Sequence, residues 1–77
     1  MKRFLVLAGG SDQADLMDVL RQKFGECYII LADMAPRVIA SSHADKHLQI
    51  STMDFDAVRK AAVEEKVDCI ITACGDQ

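Results

Sequence analysis

Four short stretches of the chain have the apolar pattern of β-strands. Residues 4–8 and Cys27–Ala32 are uninterrupted apolar runs, which favour strands buried on both faces of a sheet. Residues 47–51 alternate between polar and apolar side chains and predict a short third strand. Residues 69–73 are again apolar and predict a fourth strand. The pattern therefore contains four strands, separated by segments with a different spacing.

The first of these segments predicts a helix over residues 13–24, because apolar side chains recur there with helical spacing. Gly25 is placed to end this helix as a residue that tolerates a left-handed backbone. The helix follows a turn and cap formed by Gly9, Gly10, Ser11 and Asp12. A strand, a glycine turn and a capped helix open a βαβ unit, and the amide groups at such a helix start favour an anion.

The later segments are less regular. Residues 35–40 predict one helical turn with Pro36 at its first position, followed by a polar connector over 41–45. A cap at residues 52–54 predicts a second long helix. This helix is marked by Phe55, Val58, Ala61, Ala62 and Glu65, and its packing face consists of small residues.

The alternation of strands and helices predicts an α/β fold with a parallel sheet. Right-handed crossovers place strand two beside strand one, strand three beyond it, and strand four on the other side of strand one. The expected architecture is a three-layer Rossmann-like half-fold with a parallel four-stranded sheet in the order 3-2-1-4. Ligands of such sheets bind outside the carboxyl ends of the strands at the switch point, here between strands one and four.

Two similar turns follow strands one and four and form the predicted binding site. The candidate substrate-binding residues are Gly9, Gly10, Ser11, Asp12, Gln13, Asp33, Cys74, Gly75, Asp76 and Gln77. We expect Asp12 and Asp76 to face one crevice, with Asp33 at its rim. Asp33 has two interpretations: it contacts a ribose hydroxyl group, or it caps the next turn of its own loop. The first turn does not contain the GxGxxG pattern of a dinucleotide site.

Composition and charge argue against some classes of binding partner. A net charge of −3 without a basic cluster argues against nucleic acid and anionic membranes. The apolar run after Met1-Lys2-Arg3 is too short for a signal peptide, and a cytoplasmic location is expected. No nucleophile–base arrangement, P-loop or metal-ligand cluster is present in the sequence pattern, so we predict no catalytic residue, no metal and no cofactor in this chain.

The cysteines and histidines have structural interpretations. Three cysteines without a CxxC motif predict buried, reduced side chains. His43 and His47 have the spacing of a helical metal pair, but the alternation that begins at His47 argues against a helix there. Both histidines are therefore expected to face solvent.

Three stretches resemble a known family: LVLAGGSDQADL at the first turn, LADMAPRVIASSHADKHLQIST after strand two, and VDCIITACGDQ at strand four. Together they resemble the N-terminal, pre-ATP-grasp domain of ATP-grasp ligases of the carbamoyl-phosphate synthase large-chain-like group. The resemblance covers essentially residues 1–77, which would form a single domain of a longer chain. The first turn departs from some relatives, which hold their substrate with a charged residue there, unless Asp12 serves that purpose.

The resemblance implies an ATP-dependent enzyme that activates a carboxylate as an acyl phosphate for attack by an amine. ATP and Mg²⁺ would be held by C-terminal ATP-grasp domains, which this sequence does not contain. The chain would contribute its two turns to a small-molecule substrate cleft and be inactive alone. Two alternatives stay open: a stand-alone nucleotide-binding or regulatory module, and a truncated NAD-dependent oxidoreductase.

Strand four also predicts association. It lies at an edge of the expected sheet, yet residues 69–73 contain none of the charges or prolines that protect sheet edges. In a parent enzyme a later segment is expected to cover it. In the 77-residue chain we expect a homodimer, formed through strand four or an exchanged C-terminal segment.

Overall fold

The computed structural model describes residues 1–8, 11–36 and 38–72. Within these residues the strands are Lys2–Leu7 (β1), Cys27–Ala32 (β2), Lys46–Leu48 (β3) and Cys69–Thr72 (β4). The helices are Ser11–Phe24 (α1) and Phe55–Glu64 (α2), with a 3₁₀ helix at Ile39–His43. Strands and helices therefore alternate as the sequence predicts.

All strand pairs of the sheet are parallel, and the strand order is β3-β2-β1-β4. The predicted α/β class and the order 3-2-1-4 are thus confirmed. Val6 at the centre of β1 lies between Leu31 of β2 and Ile71 of β4. The carboxyl ends of β1 and β4 are consequently neighbours, as the switch-point argument requires.

Each face of the sheet packs against one helix. The α1 face joins Phe4, Val6, Ile29 and Leu31 to Ala14, Met17 and Leu20 of the helix. The α2 face joins Leu5, Ile30 and Ala32 to Val58. Because side chains alternate between faces along a strand, burial on both sides explains the uninterrupted apolar runs of β1 and β2.

The segment after β2 differs from the predicted helical turn over 35–40. Val38 is extended, with φ −134° and ψ 174°, and the 3₁₀ helix begins at Ile39. The N–H of Val38 donates to Oγ of Ser41 at 2.8 Å, so a side chain inside the expected connector caps this helix. The turn was predicted from Pro36, but Ser41 determines where it starts.

The connector is fastened to the core by Arg21 and Asp45. Nη2 of Arg21 donates to the carbonyl oxygen of His43 at 2.7 Å and lies 3.2 Å from Oδ2 of Asp45. Oδ2 of Asp45 also accepts the N–H of Ile29 at 2.8 Å. The polar connector predicted over residues 41–45 is therefore bonded to both α1 and β2.

Element boundaries differ slightly from the predicted ones. Ser11 and Asp12 lie within α1 and do not precede it. β3 ends at Leu48 because the N–H of Ile50 turns back to the Leu48 carbonyl at 3.0 Å. The cap of α2 is confirmed, since Oδ1 of Asp54 accepts the N–H of Ala57 at 3.1 Å.

Some apolar side chains of the predicted helices and strands are exposed. Phe55, one of the residues that mark α2 in the sequence, is 70% exposed at the first position of the helix. Cys27 is buried as predicted, but Cys69 is exposed because β4 lies at the edge of the sheet. Cys74 lies outside the described residues. The apolar pattern predicted these elements correctly, but it did not predict which of their side chains are buried.

Candidate functional site at the carboxyl ends of the strands

Ala8, at the carboxyl end of β1, has a left-handed backbone with φ 71°. Its N–H donates to the carbonyl oxygen of Ala32 at 2.8 Å, which ties this position to the end of β2. A non-glycine residue in this conformation costs roughly 1–2 kcal/mol. Backbone strain is thus present immediately before Gly9 and Gly10, which lie outside the described residues.

The first turn of α1 carries two of the predicted binding residues. Asp12 is exposed, while Gln13 is only 2% exposed and is the buried polar residue of the described core. A buried amide is stable only when it is hydrogen-bonded, so Gln13 belongs to the interior that supports the helix start. Asp12 is open to solvent. The contribution of both residues, and of Ser11, to ligand binding stays a prediction.

Asp33 follows β2, and its carboxylate is used within its own loop. Oδ1 accepts the N–H of Ala35 at 2.9 Å, and the backbone N–H of Asp33 donates to the Leu48 carbonyl at 3.1 Å. This is the local turn that aspartate side chains commonly stabilise. The capping interpretation of Asp33 is confirmed; its position at the rim of a binding crevice stays a prediction.

His47 was expected to face solvent; in the structure it is half-buried, and both ring nitrogens contact the same loop region. Its Nε2 lies 3.2 Å from the carbonyl oxygen of Asp33, and its Nδ1 lies 3.0 Å from Oγ of Ser41. A carbonyl oxygen only accepts, so Nε2 carries the proton and donates. In the neutral ring Nδ1 then accepts from the Ser41 hydroxyl group. We call Asp33, Ser41 and His47 the His47 brace.

The sequence pattern did not predict the brace because its members lie in three different elements, which only the folded chain brings together. His43, by contrast, ends the 3₁₀ helix, and its Nδ1 lies 3.1 Å from Oδ1 of Asp18. The two histidines do not share a helix, as the strand pattern at His47 predicted. Among the described residues, no group of three His, Cys, Asp or Glu side chains is arranged to hold a metal ion.

The structure describes only part of the predicted binding site. Asp12 follows β1 and Asp33 follows β2, and these strands are paired along their whole length. The second turn, which consists of Cys74, Gly75, Asp76 and Gln77, lies outside the described residues. The premise of the shared crevice, that β1 and β4 are neighbours, is confirmed, and the crevice itself stays a prediction.

A network of charged side chains occupies the opposite, amino ends of the strands. Nε of Arg3 donates to the Glu65 carbonyl oxygen at 2.6 Å, and its guanidinium lies 4.5 Å from the ring centre of Tyr28. Nζ of Lys46 lies 2.6 Å from Oε2 of Glu65. The hydrogen bond to Glu65 and the attraction of its charge raise the pKa of Lys46 above its ordinary value. This network fastens α2 to β1 and β3.

A shallow groove of about 490 Å³ lies elsewhere, along the outer side of α2 and β4. Its lining consists of Ala62, Val63, Lys66, Val67, Asp68, Cys69 and Ile70. The described residues that line the groove include none of the predicted binding residues. Ligands of a parallel sheet are expected instead at the carboxyl ends of its strands, where the left-handed Ala8 and the His47 brace are found. In the described part of the chain, neither helix has the length and apolar character needed to span a membrane.

Comparison with known proteins supports the fold. No protein-family model and no curated protein matches the sequence. Among solved structures, N5-carboxyaminoimidazole ribonucleotide synthetase from Thermotoga maritima matches with a TM-score of 0.74 and 23% identity. The match covers 96% of this chain and 20% of the synthetase, so the chain spans about a fifth of that protein's length. At this identity the likeness establishes the shared Rossmann-like half-fold.

Proposed function

We propose that this chain is the substrate-side N-terminal domain of an ATP-grasp ligase, an enzyme that joins a carboxylate to an amine with ATP. The observation that carries the proposal is the parallel 3-2-1-4 sheet, matched over 96% of the chain to part of a synthetase. The three motif stretches after β1, after β2 and at β4 favour the carbamoyl-phosphate synthase large-chain-like group. The proposal includes a cytoplasmic location.

The chain's own residues would seat and orient a small substrate. The start of α1 presents backbone N–H groups and the positive end of a helix dipole at the carboxyl end of β1. The contacts of the His47 brace tie the loop after β2 to β3 and the 3₁₀ helix. A fixed loop loses little conformational freedom on binding, which favours affinity for a small anionic ligand.

Among the described residues, no group of three His, Cys, Asp or Glu side chains is arranged to hold a metal ion, and three of the cations are already paired. The side chains of Arg3, Arg21 and Lys46 are held in ion pairs with Glu65 or Asp45. Phosphoryl transfer requires cationic clamps and carboxylates for Mg²⁺. We therefore assign no transfer step to this chain, and propose that C-terminal ATP-grasp domains bind ATP and Mg²⁺.

Two titrations of the 77-residue chain test the proposal. In calorimetry, Mg·ATP and NAD are expected to give no binding heat at micromolar concentrations. In amide NMR spectra, millimolar phosphate or acetate is expected to shift signals at residues 11–13 and 33–35, because anions favour helix starts. Asp12→Asn should strengthen the shifts by removing a negative charge there. The matched control is Asp15→Asn, one turn later on the exposed side of α1.

The outcomes discriminate between the hypotheses. Micromolar ATP affinity, equivalent to about −8 kcal/mol, would favour a stand-alone nucleotide-binding module. Micromolar NAD affinity would favour the oxidoreductase interpretation. Anion-dependent shifts spread evenly over the chain, without preference for residues 11–13, would contradict a substrate seat at the carboxyl ends.

A further inference from the structure

The backbone pairing of β2 with β3 ends at Asp33. The N–H of Asp33 still donates to the Leu48 carbonyl oxygen at 3.1 Å, which continues the parallel ladder past Ala32, the last residue of β2. The next bond of a parallel ladder would join the Asp33 carbonyl oxygen to the N–H of Ile50. That N–H turns back instead and donates to the Leu48 carbonyl oxygen at 3.0 Å. The Asp33 carbonyl oxygen is therefore open to another donor.

The ring of His47 supplies this donor from β3. Its Nε2–H group donates to the Asp33 carbonyl oxygen at 3.2 Å, and its Nδ1 accepts from the Ser41 hydroxyl group at 3.0 Å. Oγ of Ser41 in turn accepts the N–H of Val38 at 2.8 Å. Donors and acceptors are consistent along this series of three hydrogen bonds. The 3₁₀ helix thus fixes both the orientation of the ring and the nitrogen that carries its proton.

We infer that His47 is a positioning residue of the candidate substrate site, whose Nε2–H group replaces the backbone donor that Ile50 does not supply to Asp33. β3 can then turn away after Leu48 while Asp33 stays attached to the sheet. This role rests on the proposed function, because it assigns the loop after β2 to a site for a small anionic substrate. His47 acts through the backbone of Asp33 and is assigned no contact with the substrate.

Two substitutions separate the roles of the ring nitrogens. A glutamine amide can place an N–H group where Nε2 of histidine lies, and an asparagine carbonyl oxygen can lie where Nδ1 does. His47→Gln therefore retains the donor to Asp33, whereas His47→Asn loses this donor and retains the acceptor for Ser41. His43→Asn is the matched control, because the His43 ring pairs with Asp18 outside the brace.

NMR order parameters of the backbone amides at residues 33–35 test the positioning role. Wild type, His47→Gln and His43→Asn should give values of about 0.85, typical of rigid backbone, and His47→Asn values below about 0.6. The readout is local to the loop. A uniform loss of stability, which any substitution of a half-buried side chain could cause, does not reproduce this pattern.

A titration with phosphate tests the link to the substrate site. His47→Asn should raise the dissociation constant measured at residues 11–13 about fivefold, because binding must then fix one more residue at a cost of about 1 kcal/mol. His47→Gln and His43→Asn should keep the wild-type value. A dissociation constant that His47→Asn leaves unchanged would contradict the assignment of the loop to the site.

The order parameters involve no ligand, so they decide whether His47 holds Asp33 even if the proposed function fails. Residues 33–35 that are as rigid in His47→Asn as in wild type would overturn the inference, and so would an equal loss of order in His47→Gln. A wild-type chain whose signals phosphate does not shift would contradict the proposed substrate seat.

A second measurement decides if His47→Asn does not fold by circular dichroism. In ¹H–¹⁵N spectra of the wild-type histidine rings, the Nε2 proton of His47 should be protected from exchange with water by its hydrogen bond to Asp33. A freely exchanging Nε2 proton would overturn the inference.

Discussion

Ala8 shows how a single residue prepares the candidate site. The sequence places the turn at Gly9 and Gly10, yet the left-handed backbone is already present at Ala8. We expect Ala8→Gly to raise the free energy of unfolding by about 0.5–1 kcal/mol, because relief of roughly 1–2 kcal/mol of strain exceeds the entropy cost of glycine. Urea unfolding measures the change.

The matched control is Ala57→Gly in α2, which should lower the free energy of unfolding by roughly 0.5–1 kcal/mol, since glycine weakens a helix. A loss of stability in Ala8→Gly comparable to that of Ala57→Gly would show that Ala8 is not strained. The two substitutions are expected to change the free energy of unfolding in opposite directions. The comparison is therefore insensitive to errors in extrapolating the urea data to water.

Other residues of the candidate site differ in how far a sequence can predict them. The capping role of Asp33 follows from a local rule, since aspartate commonly bonds to backbone two residues on. The His47 brace follows no local rule. Ser41 and His47 meet because β3 is paired with β2, so their contact depends on the fold and has no sequence signature.

At the scale of elements, Glu65 decides how α2 is attached. It follows the last residue of the helix and lies close to Arg3 of β1 and Lys46 of β3. The apolar face of α2 contributes only Val58 and Ala61 to the buried core. The charged network at the amino ends of the strands therefore supplements a small packing face.

This attachment predicts a pH dependence. The pKa of Lys46 is raised above its ordinary value of 10.5, chiefly by the hydrogen bond to Glu65. A raised pKa in the folded chain means that the stabilisation is complete below pH 10.5 and is lost as the pH rises through the folded pKa. Urea unfolding should show Lys46→Gln less stable than wild type at neutral pH, with a difference that vanishes in strong alkali.

Lys60→Gln, at an exposed position of α2, is the control and should show no comparable convergence. A stability difference between Lys46→Gln and wild type that is the same at pH 7 and above the folded pKa would contradict the role of the ion pair. The same difference should decrease in high salt, because exposed charges are screened.

At the scale of the whole molecule, the sequence predicts the order of the strands better than it predicts which strands are buried. The order 3-2-1-4 follows from crossover handedness and is confirmed. The apolar runs of β2 and β4 are alike, yet β2 lies between two strands and β4 at an edge. Exposure of Cys69 and Ile70 depends on what surrounds the strand, which the strand's own residues do not encode.

The unequal burial of the strands predicts which part of the sheet unfolds locally first. Leu5, Val6 and Ile29 are fully buried at the centre of the sheet, whereas β4 pairs with only one strand, β1, among the described strands. A domain of this size buries only about 60% of its unfolded surface, so local openings compete with global unfolding. We expect amide hydrogen exchange to be slowest in β1 and β2 and markedly faster in β4.

Ile29→Val separates the two kinds of opening. Loss of one buried methylene group should lower the free energy of unfolding by about 0.5–1.5 kcal/mol and accelerate the slowest amides of β1 and β2 accordingly. The amides of β4 exchange through local opening, which does not expose Ile29, and should be unaffected. If β4 amides exchange as slowly as those of β1 and respond equally to Ile29→Val, β4 is part of the cooperative core and its edge position does not weaken it.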